Sequence, residues 1–225
     1  MSSFLRDRFH YAQSHTYPRR WNWKRSNKRY LLAACLAANV LVFGASGARF
    51  SPPQASPGLV SASKKIHRIE TNQWPPSKSI PFTAQELLAL GLADANSTLP
   101  GVLQNADLYL ASGGGTGTAI VDFDRLRQLS PAKNSTSDWL LAKLLTGRHP
   151  VSATVQVSSA KGEMTVHPTS VTVAGITVSG DALTFLIQNF ILPRYPDAVV
   201  DRPFRLASNI DRVNVTSAAA VVIAR

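Results

Sequence analysis

Residues 151–178, VSATVQVSSAKGEMTVHPTSVTVAGITV, decide the fold class. They contain three β-rich runs, Val151–Val157, Glu163–His167 and Val171–Val178, in which apolar and polar residues alternate. Alternation with a period of two is typical of strands that bury one face of a sheet. A short polar link separates the first two runs, and Pro168 separates the last two. The stretch therefore predicts three antiparallel strands.

A strongly apolar helix is predicted directly after these strands. Ala174 and Gly175 interrupt the alternation of the last run, which predicts a bulge that bends that strand. A helix is expected over 181–191, and Pro193 lies just beyond it. The apolar residues at helical spacing in it are Leu183, Leu186, Ile187 and Phe190.

Two further short helices are predicted upstream. Thr83 and Glu86 form a capping box before an apolar run, so a helix is expected over 84–94. A serine and an early acid open residues 137–145, and Gly147 follows them, which indicates another helix.

Two hairpins complete the predicted domain. Residues 107–111 and 118–124 alternate, and Gly113–Gly117 joins them as a loose turn. Residues 210–216 and 219–223 form the closing hairpin. A bent antiparallel sheet packed on two or three short helices is an α+β domain.

The stretch before this domain has a different composition. Residues 49–81 contain six prolines and six serines. Because proline removes a backbone donor and fixes φ, we expect an extended, semi-rigid spacer. Ile66–Ile69 interrupts it and could begin a strand. The folded domain is then expected over 82–225.

A membrane segment is predicted upstream of the spacer. Leu31 to Ala48 is a run of 18 residues without a charge. At about 1.5 Å per residue it reaches about 27 Å, close to the roughly 30 Å of a hydrocarbon core. Four basic residues lie in 24–29. The positive-inside rule then predicts a signal-anchor helix over 30–48, with 1–29 in the cytoplasm and the C-terminal part outside.

The same run also has features of a cleaved secretory signal. Ser46, Gly47 and Ala48 are small residues of the kind that precede a cleavage site. A basic region of 29 residues is long for such a signal, which favours the anchor. Under either alternative the C-terminal domain is extracytoplasmic. With the anchor retained, the protein is a single-pass protein of the inner, or cytoplasmic, membrane.

The chain carries a formal net charge of +11, and that charge is unevenly placed. Residues 1–29 hold eight basic residues and one acid, and residues 30–69 hold four basic residues and no acid. In 70–225 the remaining 12 basic residues meet 12 acids. A neutral outer domain argues against a basic nucleic-acid-binding fold. The basic, aromatic tail is expected to contact an anionic leaflet, with a protein partner or nucleic acid as alternatives.

The sequence lacks catalytic and metal-binding signatures. Its cysteine, Cys35, lies in the apolar run, and there is no Gly-x-Ser-x-Gly elbow. The five histidines are scattered without ligand spacing. Gly113–Gly117 lacks the Lys-Ser/Thr of a phosphate loop, and Asp122 and Asp124 lack the preceding nucleotide-binding fold of sugar transferases. We therefore expect no enzyme activity, no cofactor and no metal.

The apolar surface suggests a binding function. A bent sheet around a long helix can leave an elongated apolar groove that suits an acyl chain, although core packing also accounts for such residues. The residues expected to line the groove are Leu183, Leu186, Ile187, Phe190, Val171, Val173, Ile176 and Val178.

The order of segments resembles that of a known family. The segments that carry the resemblance are, in order, Phe82–Leu88, Val121–Asp124, Gly162–Val166, Val171–Val178, helix 181–191 and Ile210–Val215. They are similar to bacterial membrane-anchored envelope proteins related to tubular lipid-binding (TULIP-like) domains. The resemblance implies a half-tube that binds or shields lipid, without enzyme activity. Ser179 and Gly180 stand where the family usually has a proline.

The sequence thus favours a tethered extracytoplasmic domain that binds or shields a lipid or another long apolar ligand, with membrane lipid as the expected partner. The alternative is a cell-envelope scaffold that contacts other proteins, as in single-pass division or secretion components. A continuous apolar groove would favour lipid binding. An exposed sheet edge and a filled interior would favour the scaffold.

Overall fold

The computed structural model describes residues 56–129, 146–188, 192 and 199–225. They form the predicted α+β fold, in which the strands pair antiparallel. The helices are α1 Pro57–Glu70, α2 Ala84–Thr98, α3 Phe123–Gln128 and α4 Gly180–Leu186. The strands are β1 Ser79–Phe82, β2 Leu103–Ala111, β3 Gly114–Asp122, β4 Arg148–Ala160, β5 Glu163–Val173, β6 Ile176–Val178, β7 Phe204–Arg205, β8 Ile210–Val215 and β9 Ala220–Ala224.

The strands form two sheets that are fixed to each other at one end. The larger sheet has the order β2-β3-β4-β5-β6, with β7 on the start of β5, and the smaller has the order β1-β9-β8. The Gly113 N–H donates to the Val215 carbonyl at 2.9 Å, and the Gly162 N–H donates to the Asp211 carbonyl. Because Gly113 and Gly162 lie in the turns at the same end of the larger sheet, the smaller sheet closes that end.

The stretch 151–178 forms two long strands and one short strand. Pro168 does not separate two strands, because β5 continues through it. Thr154 pairs with Ser170 and Val155 with Pro168, so Thr169 is the extra residue of a bulge. The Thr169 hydroxyl donates to the Thr154 carbonyl at 3.1 Å. A bulge removes the ladder hydrogen bond that proline cannot make, and the strand bends there.

The bulge predicted at Ala174 and Gly175 is wrong. These two residues form the turn between β5 and β6, and their φ angles are 50° and 84°. Two consecutive residues with positive φ are typical of the tight turns that match the twist of a hairpin. The strand therefore reverses at this point and does not merely bend.

The predicted extended spacer is also wrong for residues 57–70, because they form α1. Ser56 caps this helix by accepting a hydrogen bond from the Leu59 N–H at 3.3 Å. Pro57 occupies the first turn, where a missing N–H costs nothing. Ile66–Ile69 is therefore helical and not a strand. Ala62 and Ile69 of α1 are almost completely buried, so the domain includes this helix.

The predicted capping box and both hairpins are confirmed. The Thr83 hydroxyl accepts from the Glu86 N–H at 3.3 Å, and the Glu86 carboxylate accepts from the Thr83 N–H at 2.8 Å. The helix runs further than expected, to Thr98. Gly114–Gly117 belongs to β3 and not to a loose loop. A Cβ atom on Gly114 would lie 2.2 Å from the Val155 carbonyl oxygen, so β4 approaches too closely for a side chain.

Glu86 also joins α1 to α2. Its carboxylate accepts from the Ser61 hydroxyl at 2.5 Å and from the Lys65 ammonium at 2.7 Å. The same ammonium donates to the Pro81 carbonyl at 2.7 Å. Burial raises the pKa of Glu86, but the hydrogen bonds from Lys65, Ser61 and the Thr83 N–H outweigh it and leave the pKa below its usual value. The buried residue is therefore an anion that ties two helices and β1 together.

The apolar interior contains two clusters. The first cluster lies next to the smaller sheet, and its buried members are Ala62, Ile69, Ile80, Phe82, Leu87, Leu90, Leu108, Val155, Met164, Val166, Leu206, Ile210, Val215, Ala220 and Val222. The second cluster lies towards the other end of the larger sheet, and its buried members are Ala95, Val102, Leu103, Ala119, Val121, Val151, Ala153, Val171, Leu183 and Ile187. Leu88 of α2 packs against both clusters, so they adjoin.

Some predictions lie outside the described residues. These are the tail 1–29, the membrane segment 30–48 and the helix over 137–145. In the part of the chain that the structure describes, no helix is both long and apolar enough to span a bilayer.

Candidate apolar ligand site

The residues predicted to line a groove lie on β5, β6 and α4. Val171 pairs with Val178, and Val173 pairs with Ile176, across the β5–β6 hairpin. α4 follows β6 after a single residue, Ser179, which places the helix beside this hairpin.

The structure brings five of the eight residues together in the second cluster. Leu183, Ile187 and Val171 are its buried members, with exposures of 3%, 6% and 4%. Val173 and Val178 are partly buried and pack against them. Because the three buried side chains are already covered by protein, a ligand reaches them only if part of that cover moves.

The other three residues are placed differently. Leu186 is half-buried. Ile176 is 71% exposed, because it follows the β5–β6 turn on the edge strand of the sheet. Phe190 lies outside the described residues.

The other members of the second cluster were not predictable as site residues from the sequence pattern alone. They lie on α2, in the segment that follows it, and on β2, β3 and β4, and include Ala95, Val102, Leu103, Ala119, Val121, Val151 and Ala153. Several are small, so the interior is lined by main chain and methyl groups. The alternation of small and polar residues in β3 and β4 is visible in the sequence, but it indicates only which of their side chains share a face.

α4 covers the second cluster with little local support. It has seven residues, and the Ser179 hydroxyl at its N-cap makes no capping hydrogen bond. Gly180 opens it with a φ of 58°, in the left-handed region that glycine adopts easily. A helix this short is not stable by itself, so Leu183 and Ile187 hold it by their packing.

The two acids at the end of β3 have structural partners. Asp122 caps α3 by accepting from the Arg125 N–H at 2.9 Å and also pairs with Arg148 at 3.2 Å. These two groups hold the pKa of the Asp122 carboxyl below its usual range. Asp124 accepts from the Gly147 N–H at 3.0 Å and pairs with Arg127. Both carboxylates thus fix the α3 region beside the second cluster.

His167 pairs with Asp201 on the outer face of the larger sheet. Both side chains are about half exposed. Within the described ranges, no three His, Cys, Asp or Glu residues lie close enough together to hold a metal ion.

Comparison with known proteins gives no match. No family model matches the chain, and neither a curated protein nor a solved structure is significantly similar to it. The assignment of a function therefore depends on the residues and on the geometry of the domain.

Proposed function

We propose that the domain binds or shields a long apolar ligand, such as the acyl chain of a membrane lipid, without catalysis. The proposal is supported by two adjoining apolar clusters between α2 and the inner face of the larger sheet; side chains fill this interior, so a ligand enters only by displacing part of its cover. Leu88 contacts both clusters within it. The end occupied by the second cluster is covered by α4, and a ligand enters there when α4 moves away.

The burial free energies are compatible with a ligand that displaces α4 from the second cluster. Fully burying a Leu or Ile side chain contributes about 1.5–3 kcal/mol, so exposing Leu183 and Ile187 costs about 3–6 kcal/mol. A buried methylene group contributes about 0.8 kcal/mol, so about eight methylene groups of an acyl chain offset the larger figure. A lipid tail is long enough to replace α4, whereas a short organic acid is not.

The proposal includes tethering to the membrane by residues 30–48, with the domain on the extracytoplasmic side. The neutral charge balance of 70–225 and the basic tail before the apolar run support this orientation. A tethered lipid-binding domain has its ligand within reach at all times.

A photoactivatable fatty acid tests the proposal with the full chain in membranes. After illumination, the adducts are mapped by peptide mass spectrometry. We expect adducts on α4 and on the β5–β6 hairpin as well as on the membrane segment. Adducts confined to 30–48 would contradict lipid binding by the domain.

A matched pair of variants sharpens this test. Ala153 is fully buried on the inner face of β4, and its neighbour Ser152 points to the outer face. Ala153→Leu adds side-chain volume to the packed interior and should lower the adduct yield on the domain, whereas Ser152→Leu should not change it. Circular dichroism of both variants checks that they are folded. Equal yields from two folded variants would count against an internal site.

The edges of the larger sheet and its filled interior favour a second candidate, the cell-envelope scaffold. Tyr109 on edge strand β2 is 63% exposed, and Ile176 on edge strand β6 is 71% exposed. Exposed apolar side chains on edge strands are typical of sites where another chain adds a strand. A photocrosslinking amino acid at position 109 or 176 should then give a discrete protein adduct in cells. The same amino acid at the exposed Ser158 is the control, and equal labelling would reject the scaffold.

A further inference from the structure

A cleft of about 360 Å³ lies beside the smaller sheet, away from the second cluster. Its lining residues are Asn72, Trp74, Lys78, Asn209, Ala224 and Arg225. Asn72 and Trp74 lie in the segment after α1, and Lys78 directly precedes β1. The other three lie directly before β8 and at the end of β9. The volume is near the lower limit of small-molecule sites, which suits a single ring with its substituents.

Hydrogen bonds fix the walls of this cleft. The Trp74 indole N–H donates to the Asn72 side-chain oxygen at 2.9 Å. The Asn209 amide donates to the Ile69 carbonyl at the end of α1 at 2.6 Å, with a longer contact of 3.5 Å to the same Asn72 oxygen. The Trp74 ring also packs against the first cluster. An aromatic ring held in this way is preorganised for a ligand.

The backbone around the cleft is fixed as well. The Ala224 N–H donates to the Lys78 carbonyl at 2.8 Å, and the Arg225 N–H donates to the Asn209 carbonyl at 3.2 Å. Asn72 and Lys78 have φ angles of 58° and 50°. Left-handed backbone is uncommon for lysine, and such residues cluster at binding sites.

The remaining polar groups of the residues that line the cleft are mainly hydrogen-bond donors. Because an indole N–H can only donate, the Asn72 atom that it meets is the oxygen, and the Asn72 NH₂ group remains available. Among the described residues, the structure gives no carboxylate partner for the Lys78 ammonium, and the Arg225 guanidinium donates to the Ser208 and Lys161 carbonyls. The residues that line the cleft therefore include two basic residues, an amide donor and an aromatic residue.

We propose that this cleft binds a sugar that carries a carboxylate or phosphate group. Lys78 and Arg225 bind the anionic group, the Asn72 amide donates to a ring hydroxyl, and the Trp74 indole packs against the apolar face of the ring. This site does not depend on the apolar interior, so it is present whether or not the domain binds lipid.

Ligand-detected NMR on the full chain in detergent micelles tests the proposal with three sugars. These are glucuronate, glucose 6-phosphate and, as the uncharged match, glucose. A hydrogen bond to a charged group contributes about 1.5–3 kcal/mol, so we expect glucose to bind at least about tenfold more weakly than the better of the two anionic sugars. The ranking of these two sugars separates a carboxylate from a phosphate site.

Charge-removing variants identify the site. Lys78→Gln and Arg225→Gln should each weaken binding of the anionic sugar about tenfold, whereas Lys64→Gln removes an exposed charge outside the cleft and should have no effect. Equal binding of glucose, or an equal loss in the Lys64 variant, would overturn the proposal. Inorganic phosphate that binds as tightly as glucose 6-phosphate would also overturn it, because the ring would then contribute nothing.

Discussion

The two apolar clusters share one sheet but are closed in different ways. The first cluster is closed by the smaller sheet, whose strands are hydrogen bonded to the turns of the larger sheet at Gly113 and Gly162. Around it, Glu86 joins α1 and α2. The second cluster is covered by α4, which is held by the packing of Leu183 and Ile187.

This difference determines how each end can open. Backbone hydrogen bonds between distant strands break only when a large part of the domain unfolds. A helix of seven residues that is held by side-chain packing can detach while the sheet stays intact. The first end is therefore suited to stability, and the second is the end at which the proposed ligand would enter.

The largest effect is expected from Ile210→Ala at the first end. Ile210 is fully buried in the first cluster. Removing such a side chain typically destabilises a protein by about 2–5 kcal/mol. Urea unfolding followed by circular dichroism measures the change. Ile176→Ala, at a position that is 71% exposed, is the control and should change the free energy of unfolding by less than about 0.5 kcal/mol.

Glu86→Gln should have the next largest effect. The amide keeps the shape of the side chain but removes the charge that Lys65 and Ser61 face. Loss of hydrogen bonds to a charged group, partly offset by those that the amide still makes, should lower the free energy of unfolding by about 1.5–3 kcal/mol at neutral pH. The exposed Glu70→Gln is the matched control. If both variants unfold alike, Glu86 does not tie the helices together.

The pH dependence gives a third way to test the first end. Because the pKa of Glu86 is lower in the folded domain than in the unfolded chain, its stabilising contribution is present above about pH 4.5 and is lost as the pH falls further. The wild-type protein should therefore lose stability more steeply than Glu86→Gln below that pH. Parallel profiles of the two proteins between pH 3 and pH 6 would contradict this assignment.

Leu183→Ala tests the second end. Leu183 is 3% exposed, so its truncation should lower the free energy of unfolding by about 2–5 kcal/mol. This loss is limited to the roughly 3–6 kcal/mol that detaching α4 costs, because the sheet can stay folded without the helix. Amide exchange in α4 should therefore be faster than in β4, and equal exchange in the two elements would show that the two ends are equally cooperative.

The sequence predicted the elements that depend on local signals. The Thr83–Glu86 capping box and the closing hairpin have all their determinants within a few residues, and both are present. The partner of Glu86 was not predictable in this way, because Lys65 lies 21 residues upstream on another helix. The bulge at Thr169 likewise depends on pairing with Thr154, which no local pattern reports.

The spacer prediction failed for a different reason. The prolines and serines of 49–81 are typical of a spacer, but Leu59, Ala62, Ile66 and Ile69 have helical spacing and Pro57 fits a first helical turn. Burial of Ala62 and Ile69 stabilises the helix in spite of the composition of the stretch. For the candidate site, the sequence identified the α4 and β5 side of the second cluster but not the opposite wall, because α2 and β2–β4 meet it only in three dimensions.

The start of α1 at Pro57 also limits how far the domain can move. If residues 30–48 span the membrane, seven residues, 49–55, connect the bilayer to the Ser56 cap. A fully extended chain covers about 3.5 Å per residue, so the cap lies within about 30 Å of the bilayer surface, compared with about 115 Å for a spacer of 33 residues. The domain would then work as a short-range device that takes its ligand from the leaflet directly below it, and not as a carrier that reaches a distant membrane.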